Sequence, residues 1–184
     1  RAIRAQDGQL LKEYANLSHR GLPSGGAMVL GDDALQILLL EAHLASVEPA
    51  HKHVLINTKS LEFYDYHTSL EKRYPKRWPH LGAKEDIGER VDRAILQQMV
   101  SEFAAAQPVF YMHPSFGYFF ETVCQIPHGL AYEVRSYPTN RVAAPLLTSE
   151  IIQENETFWN TATAFIERTR QEAEREVPEA RYII

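Results

Sequence analysis

The sequence predicts an α/β fold, a three-layer sandwich around a mostly parallel four-stranded sheet. Three observations carry this expectation. Four short β-type runs, Ala27–Leu30, His53–Asn57, Val109–Met112 and Leu130–Tyr137, are set off from the segments around them, chiefly by Gly, Pro and polar residues. Longer segments with apolar groups every three or four residues alternate with them, as crossover helices do. The first three runs are continuously apolar, which suits strands covered on both faces. The fourth alternates Leu130, Tyr132 and Val134 with Glu133 and Arg135, which marks a strand with one solvated side at the sheet edge. Right-handed crossovers then give the strand order 2-1-3-4.

The 184 residues read as one domain. Residues 1–22 form an N-terminal helix, 23–147 the core sheet with its crossover helices, and 148–184 a C-terminal helix with a charged tail. In the first, Leu10, Leu11, Tyr14 and Leu17 share a helix face, and Gly21 and Pro23 stop it. After the first strand, Asp33 caps an apolar helix over Ala34–Val47, with Gln36 completing a capping box. Thr58-Lys59-Ser60 makes the elbow after the second strand and leads into a helix over Leu61–Tyr74. A long helix over Asp86–Gln107 follows, with Ile87, Val91, Ile95, Met99 and Phe103 as its stripe and Asp86 as its cap. The third strand turns at His113-Pro114-Ser115 into an aromatic helix over Phe116–Val123, and Ile126–Gly129 reads as a turn. Thr148 or Ser149 caps the last helix, which runs to about Val177.

Charge and composition exclude several classes. A net charge of −5 argues against a general nucleic-acid binder. No apolar window reaches the roughly 18–20 residues of a membrane span, and no signal peptide stands at the front. Beginning at Arg1 rather than Met, the chain reads as a piece or a processed product of something longer. The single Cys124, in an apolar helix end, reads as a buried inert thiol rather than a nucleophile.

Chemistry concentrates at the carboxyl ends of the first and third strands, where an order 2-1-3-4 places a topological switch point. Gly31-Asp32-Asp33 and His113-Pro114-Ser115 would share that crevice. Asp32 reads either as a ligand-facing carboxylate or, with Asp33, as part of the helix cap. The ligand-binding candidates are Asp32, Asp33, Lys59, His113, Ser115, Tyr118 and Glu121. A nucleophile elbow fails at Ser115, because a histidine stands where glycine belongs and no aspartate follows to complete a triad. Ser115 is better read as a helix N-cap. The turn after the first strand lacks the glycines of a dinucleotide site, so the fold is Rossmann-like without that cofactor. Neither cofactor nor metal is expected. His67 and Glu71 read as a solvated pair one turn apart, and His51 and His53 as surface or core histidines rather than ligands. The basic stretch Lys72, Arg73, Lys76, Arg77 and Lys84 reads as a solvated loop anchored by Trp78, with an anion-contacting role as the alternative.

The segments GDDAL at 31–35, VLINTKSLE at 54–62, YH at 66–67, YMHPSFGYFFE at 111–121 and PHGLAYE at 127–133 resemble the soluble C-terminal region of certain bacterial polytopic membrane proteins. These form a domain-of-unknown-function family similar to protein O-mannosyltransferases of the glycosyltransferase C superfamily. The resemblance covers about residues 20–160 and implies an accessory extracytoplasmic domain that binds a glycan, an acceptor or a partner rather than catalysing. Membrane contact would then come only through flanking segments. Two rival expectations stand beside it: a free-standing, otherwise cytoplasmic small-molecule enzyme using Asp32 and His113, and a purely structural interaction module. The first would give His113 the acid/base role, with Asp32 or Glu121 orienting it.

Overall fold

The computed structural model describes residues 2–112, 122–137, 143 and 145–176. Helix α1 (Ala2–Arg20) leads into strand β1 (Met28–Gly31), helix α2 (Ala34–Val47) and strand β2 (Val54–Asn57). A 3-10 turn (Thr58–Glu62) and helices α3 (Tyr64–Arg73), α4 (Lys84–Ile87) and α5 (Arg93–Ala106) follow. Strands β3 (Val109–Met112), β4 (Val123–His128) and β5 (Ala131–Ser136) precede the long helix α6 (Ser149–Glu176).

The sheet is mixed, with five strands in the order β2-β1-β3-β5-β4. β1 pairs in parallel with both β2 and β3, with Leu30 level with Ile56 on one side and Tyr111 on the other. Successive side chains of these strands point to opposite faces. Val29, Leu55, Phe110 and Met112 meet Ile37, Leu40 and Leu44 of α2. On the other face Met28, Leu30, Ile56, Val109 and Tyr111 meet Leu61, Leu70, Trp78, Leu96 and Met99. Two buried faces explain why these strands read as unbroken apolar runs.

Beyond β3 the expectation of four mostly parallel strands is corrected. The run expected as the edge strand is β5, which lies inside the sheet and pairs antiparallel with both β3 and β4. The true edge is β4, in a segment expected to finish a helix and then turn. Val123, Cys124 and Ile126 are all buried in it, so Cys124 belongs to a strand and not to a helix end. Pro127, which lacks an N–H, is tolerated because β4 has one neighbour among the described strands. Gly129, at φ 62°, makes the tight β4–β5 reversal.

Two helices also differ from expectation. The segment 86–107 is broken: Gly88 at φ 88° ends α4, Phe63 and Arg90 form a bridge, and Asp92 caps α5 by accepting from the Ala94 N–H at 2.7 Å. Asp86 is therefore inside α4 and not a cap. The segment 61–74 begins as the 3-10 turn and becomes α-helical only at Tyr64.

Helix α6 is anchored to the β4–β5 hairpin by Asn155, whose side chain accepts from the Gly129 N–H (2.9 Å) and donates to the Pro127 carbonyl (2.8 Å). A Cβ on Gly129 would meet the Phe158 ring at 2.7 Å. Gly129→Ala combines that clash with a left-handed backbone, and the expected loss is about 1–3 kcal/mol of stability. Chemical denaturation checks it. An unchanged midpoint would mean that α6 does not rest on this turn.

Candidate functional site

The carboxyl ends of the three parallel strands converge on Asp32. It is the first residue after β1, half-buried, and its Oδ1 accepts short hydrogen bonds from the Thr58 hydroxyl and the Tyr111 hydroxyl. Thr58 directly follows β2 and also lies 3.2 Å from the Gly31 carbonyl. Tyr111 is in β3, 1% exposed, with only its hydroxyl reaching the strand ends. One carboxylate is thus gripped from both flanking strands. Charge-assisted bonds of this kind hold a carboxylate in a fixed orientation.

The rest of the rim is built from the β2 elbow. Asn57 Oδ1 accepts from the Lys59 and Ser60 N–H groups at 3.0 and 3.3 Å, which forms the 3-10 turn. The Asn57 N–H donates to the Tyr66 hydroxyl at 3.0 Å, and burial holds that phenol above its ordinary pKa. Asp33 is the α2 cap, accepting from the Leu35 N–H at 2.8 Å, and its exposed carboxylate is committed there. Lys59 is exposed on the turn. The predicted residues His113, Ser115, Tyr118 and Glu121 lie outside the described residues. Of the predicted set the structure brings Asp32 to the strand ends and assigns Asp33 to the cap. Thr58 and Tyr111, which complete the grip, were read only as elbow and core. Their signal was a hydroxyl at the end of an otherwise apolar strand.

Other predicted polar features resolve into structure. His67 and Glu71 are not a solvated pair. His67 is 2% exposed, its Nε2–H donates to the Leu61 carbonyl at 2.6 Å, and its ring lies against Trp78. Burial lowers its pKa. Glu71 turns instead to His80, at 3.1 Å. The basic stretch is largely committed: Arg73 pairs with Glu41, Lys84 with Asp65 at 3.0 Å, and Arg77 donates to the Lys52 carbonyl and, at 2.9 Å, to Gln107. That leaves little of it for an anion. A groove of about 510 Å³ between α1 and α2, walled by Leu11, Leu39, His43 and Val47, does not include Asp32.

A second polar cluster occupies the opposite, amino-terminal edge of the sheet. His19, Glu48 and His53 each place one ligand-type atom within 4.8 Å of the other two. Distance alone would suit a divalent ion. However, His53 Nδ1 accepts from the Ala27 N–H at 3.1 Å. A neutral ring accepting at Nδ1 carries its proton on Nε2, whereas a metal-ligating histidine donates from its second nitrogen. His53 therefore does not fit a metal.

Family models, curated proteins and solved structures were compared with the chain, and none matches.

Removing one arm of the grip tests its worth. Tyr111→Phe deletes a hydrogen bond to a charged group and should cost on the order of 1.5–3 kcal/mol of stability. Denaturant titration reads this directly. A loss below about 0.5 kcal/mol would show that the Tyr111–Asp32 bond contributes little.

Proposed function

We propose that this chain is an accessory α/β domain of a membrane-anchored, glycosyltransferase-like protein, and that it holds a glycan or acceptor at Asp32 rather than catalysing. The observation that carries the binding part is the grip on Asp32 by Thr58 and Tyr111 at the carboxyl edge of the parallel strands. Ligands in open α/β sheets lie outside the carboxyl ends of the strands. A half-buried, pre-oriented carboxylate is an acceptor for ligand hydroxyls, which form short O–H···O⁻ bonds. Both hydroxyls donate toward Asp32, which fixes the orientation of the carboxylate that a ligand would meet. The membrane-anchored setting rests on the resemblance of residues 31–35, 54–62, 111–121 and 127–133 to the soluble regions of such proteins.

The test is a thermal-shift screen of the chain against hexoses, oligosaccharides and sugar phosphates, followed by calorimetry with wild type and Asp32→Asn. A ligand at about 100 times its Kd should stabilise wild type by about 2.7 kcal/mol. Asp32→Asn, nearly isosteric but uncharged, should keep the fold and lose affinity at least about tenfold, the weight of one charge-assisted bond. Equal affinity in the two proteins would remove Asp32 from the site. No stabilisation by any sugar would reject the glycan reading.

A further inference from the structure

The amino-terminal edge of the sheet gathers four histidines around one carboxylate. His53, at the entry to β2, is 3% exposed. His51 lies beside it with ring centroids 5.9 Å apart, and His19 from the end of α1 meets it edge-on at 6.3 Å. His43 of α2 stands 5.4 Å from His19. Glu48, the α2 C-cap, lies 3.8 Å from His19 Nε2. Arg77 reaches in from the loop after α3 to the Lys52 carbonyl. Lys52 itself is exposed. Among the described residues, His53 thus has His19, His51 and Arg77 around it, with His43 beyond His19 and Lys52 next in the chain, and Glu48 as the carboxylate.

What His53 holds is the connection from α1 into β1. Its Nδ1 takes the Ala27 N–H, the last backbone donor before β1, while the Val54 N–H donates to the Ala27 carbonyl at 2.9 Å. Gly26 is pressed so closely on Lys52 that an added Cβ would lie 2.5 Å from the lysine Cβ. The 21–27 connection is therefore fastened to the 51–54 segment at adjacent bonds, one of which depends on a titratable ring.

We infer that His53 is the catch of an acid-sensitive latch, which fastens the α1–β1 connection to the start of β2 while the ring is neutral and releases it when the ring takes a second proton. The added proton sits on Nδ1 and turns an acceptor into a donor facing the Ala27 N–H, so the bond becomes a repulsion. It also adds a cation to a cluster with one carboxylate. Burial first, then His51 and His19, already hold the His53 pKa below its ordinary 6.5, with Glu48 opposing. The sign follows from linkage: the released state takes the proton first. The latch is therefore complete above pH 6.5 and weakens as the pH falls from there through the lower value of the closed state. His67, lowered by burial in the opposite layer, adds to the loss of global stability in the same direction, so a local readout is needed.

Amide hydrogen exchange on the full chain at about pH 7.5 and about pH 5, corrected for intrinsic rates, supplies it. Protection at Gly26–Met28 and His53–Val54 should fall at least about tenfold at the lower pH, while β3 stays protected. His53→Asn keeps an acceptor at the δ position that cannot titrate, and should abolish the local response. An equal response in wild type and His53→Asn, or loss of protection in β3 to the same extent, would overturn the latch. Should His53→Asn fail to fold, His51→Gln removes a neighbouring cation and should shrink the response; an unchanged response overturns it. Zinc chloride at about pH 7.5 should leave the melting midpoint unchanged. A rise seen in wild type and lost in the His53 variant would mean that the cluster binds metal instead.

Discussion

The whole architecture depends on a parallel strand triplet, β2-β1-β3, that has no solvated face. Its central strand, Met28–Gly31, is buried at every position and bonded on both sides. Such a strand is stable only if each face receives its own layer of helices, and the chain supplies α2 to one and α3 with α5 to the other. Gly31 shows how tightly the layers close: a Cβ there would fall 2.7 Å from Ile37 of α2. Each buried side chain of Leu or Val size contributes roughly 1.5–3 kcal/mol of transfer free energy, and this offsets the entropy of ordering the crossovers.

Having no free face, the triplet can present polar chemistry only at its two ends. At the carboxyl end Asp32 is stabilised by hydroxyls that β2 and β3 deliver in register, which compensates for taking a carboxylate partly out of water. At the amino end the same three-layer closure brings the C-termini of α1 and α2 over the β2 entry and crowds four histidines there. The two ends differ in kind. The carboxyl end holds a carboxylate in a fixed orientation, and the amino end holds a histidine, His53, whose bond from the Ala27 N–H depends on its ring staying neutral.

The parallel half was legible because burial on both faces leaves an unmistakable pattern, Ala27–Leu30, His53–Asn57 and Val109–Met112, with Asp33 capping as a strand-to-helix turn demands. The antiparallel half was hidden by its own composition. Only Glu121 and Thr122 separate the aromatic run from Val123–Ile126, with no Gly or Pro between them, and Pro127 mimics a turn although it sits within an edge strand. Periodicity also misled at 86–107, because Ile87 and Val91 keep the four-residue spacing across a backbone that Gly88 has already turned. At the strand ends, Asp32 could be picked out as a carboxylate after an apolar run. Its partners Thr58 and Tyr111 could not, since pairing across strands 26 and 79 residues apart in sequence requires the register. His53 was legible only as a core or surface histidine; the bond from Ala27 that fixes its tautomer is tertiary.

The central claim is that Asp32 marks where this domain meets its ligand. Backbone amide shift mapping during a saccharide titration tests that location without altering the protein. The account predicts shifts concentrated at Gly31–Asp33 and Asn57–Ser60. Shifts confined to the α1–α2 groove around His43 and Val47, with the strand ends silent, would contradict it.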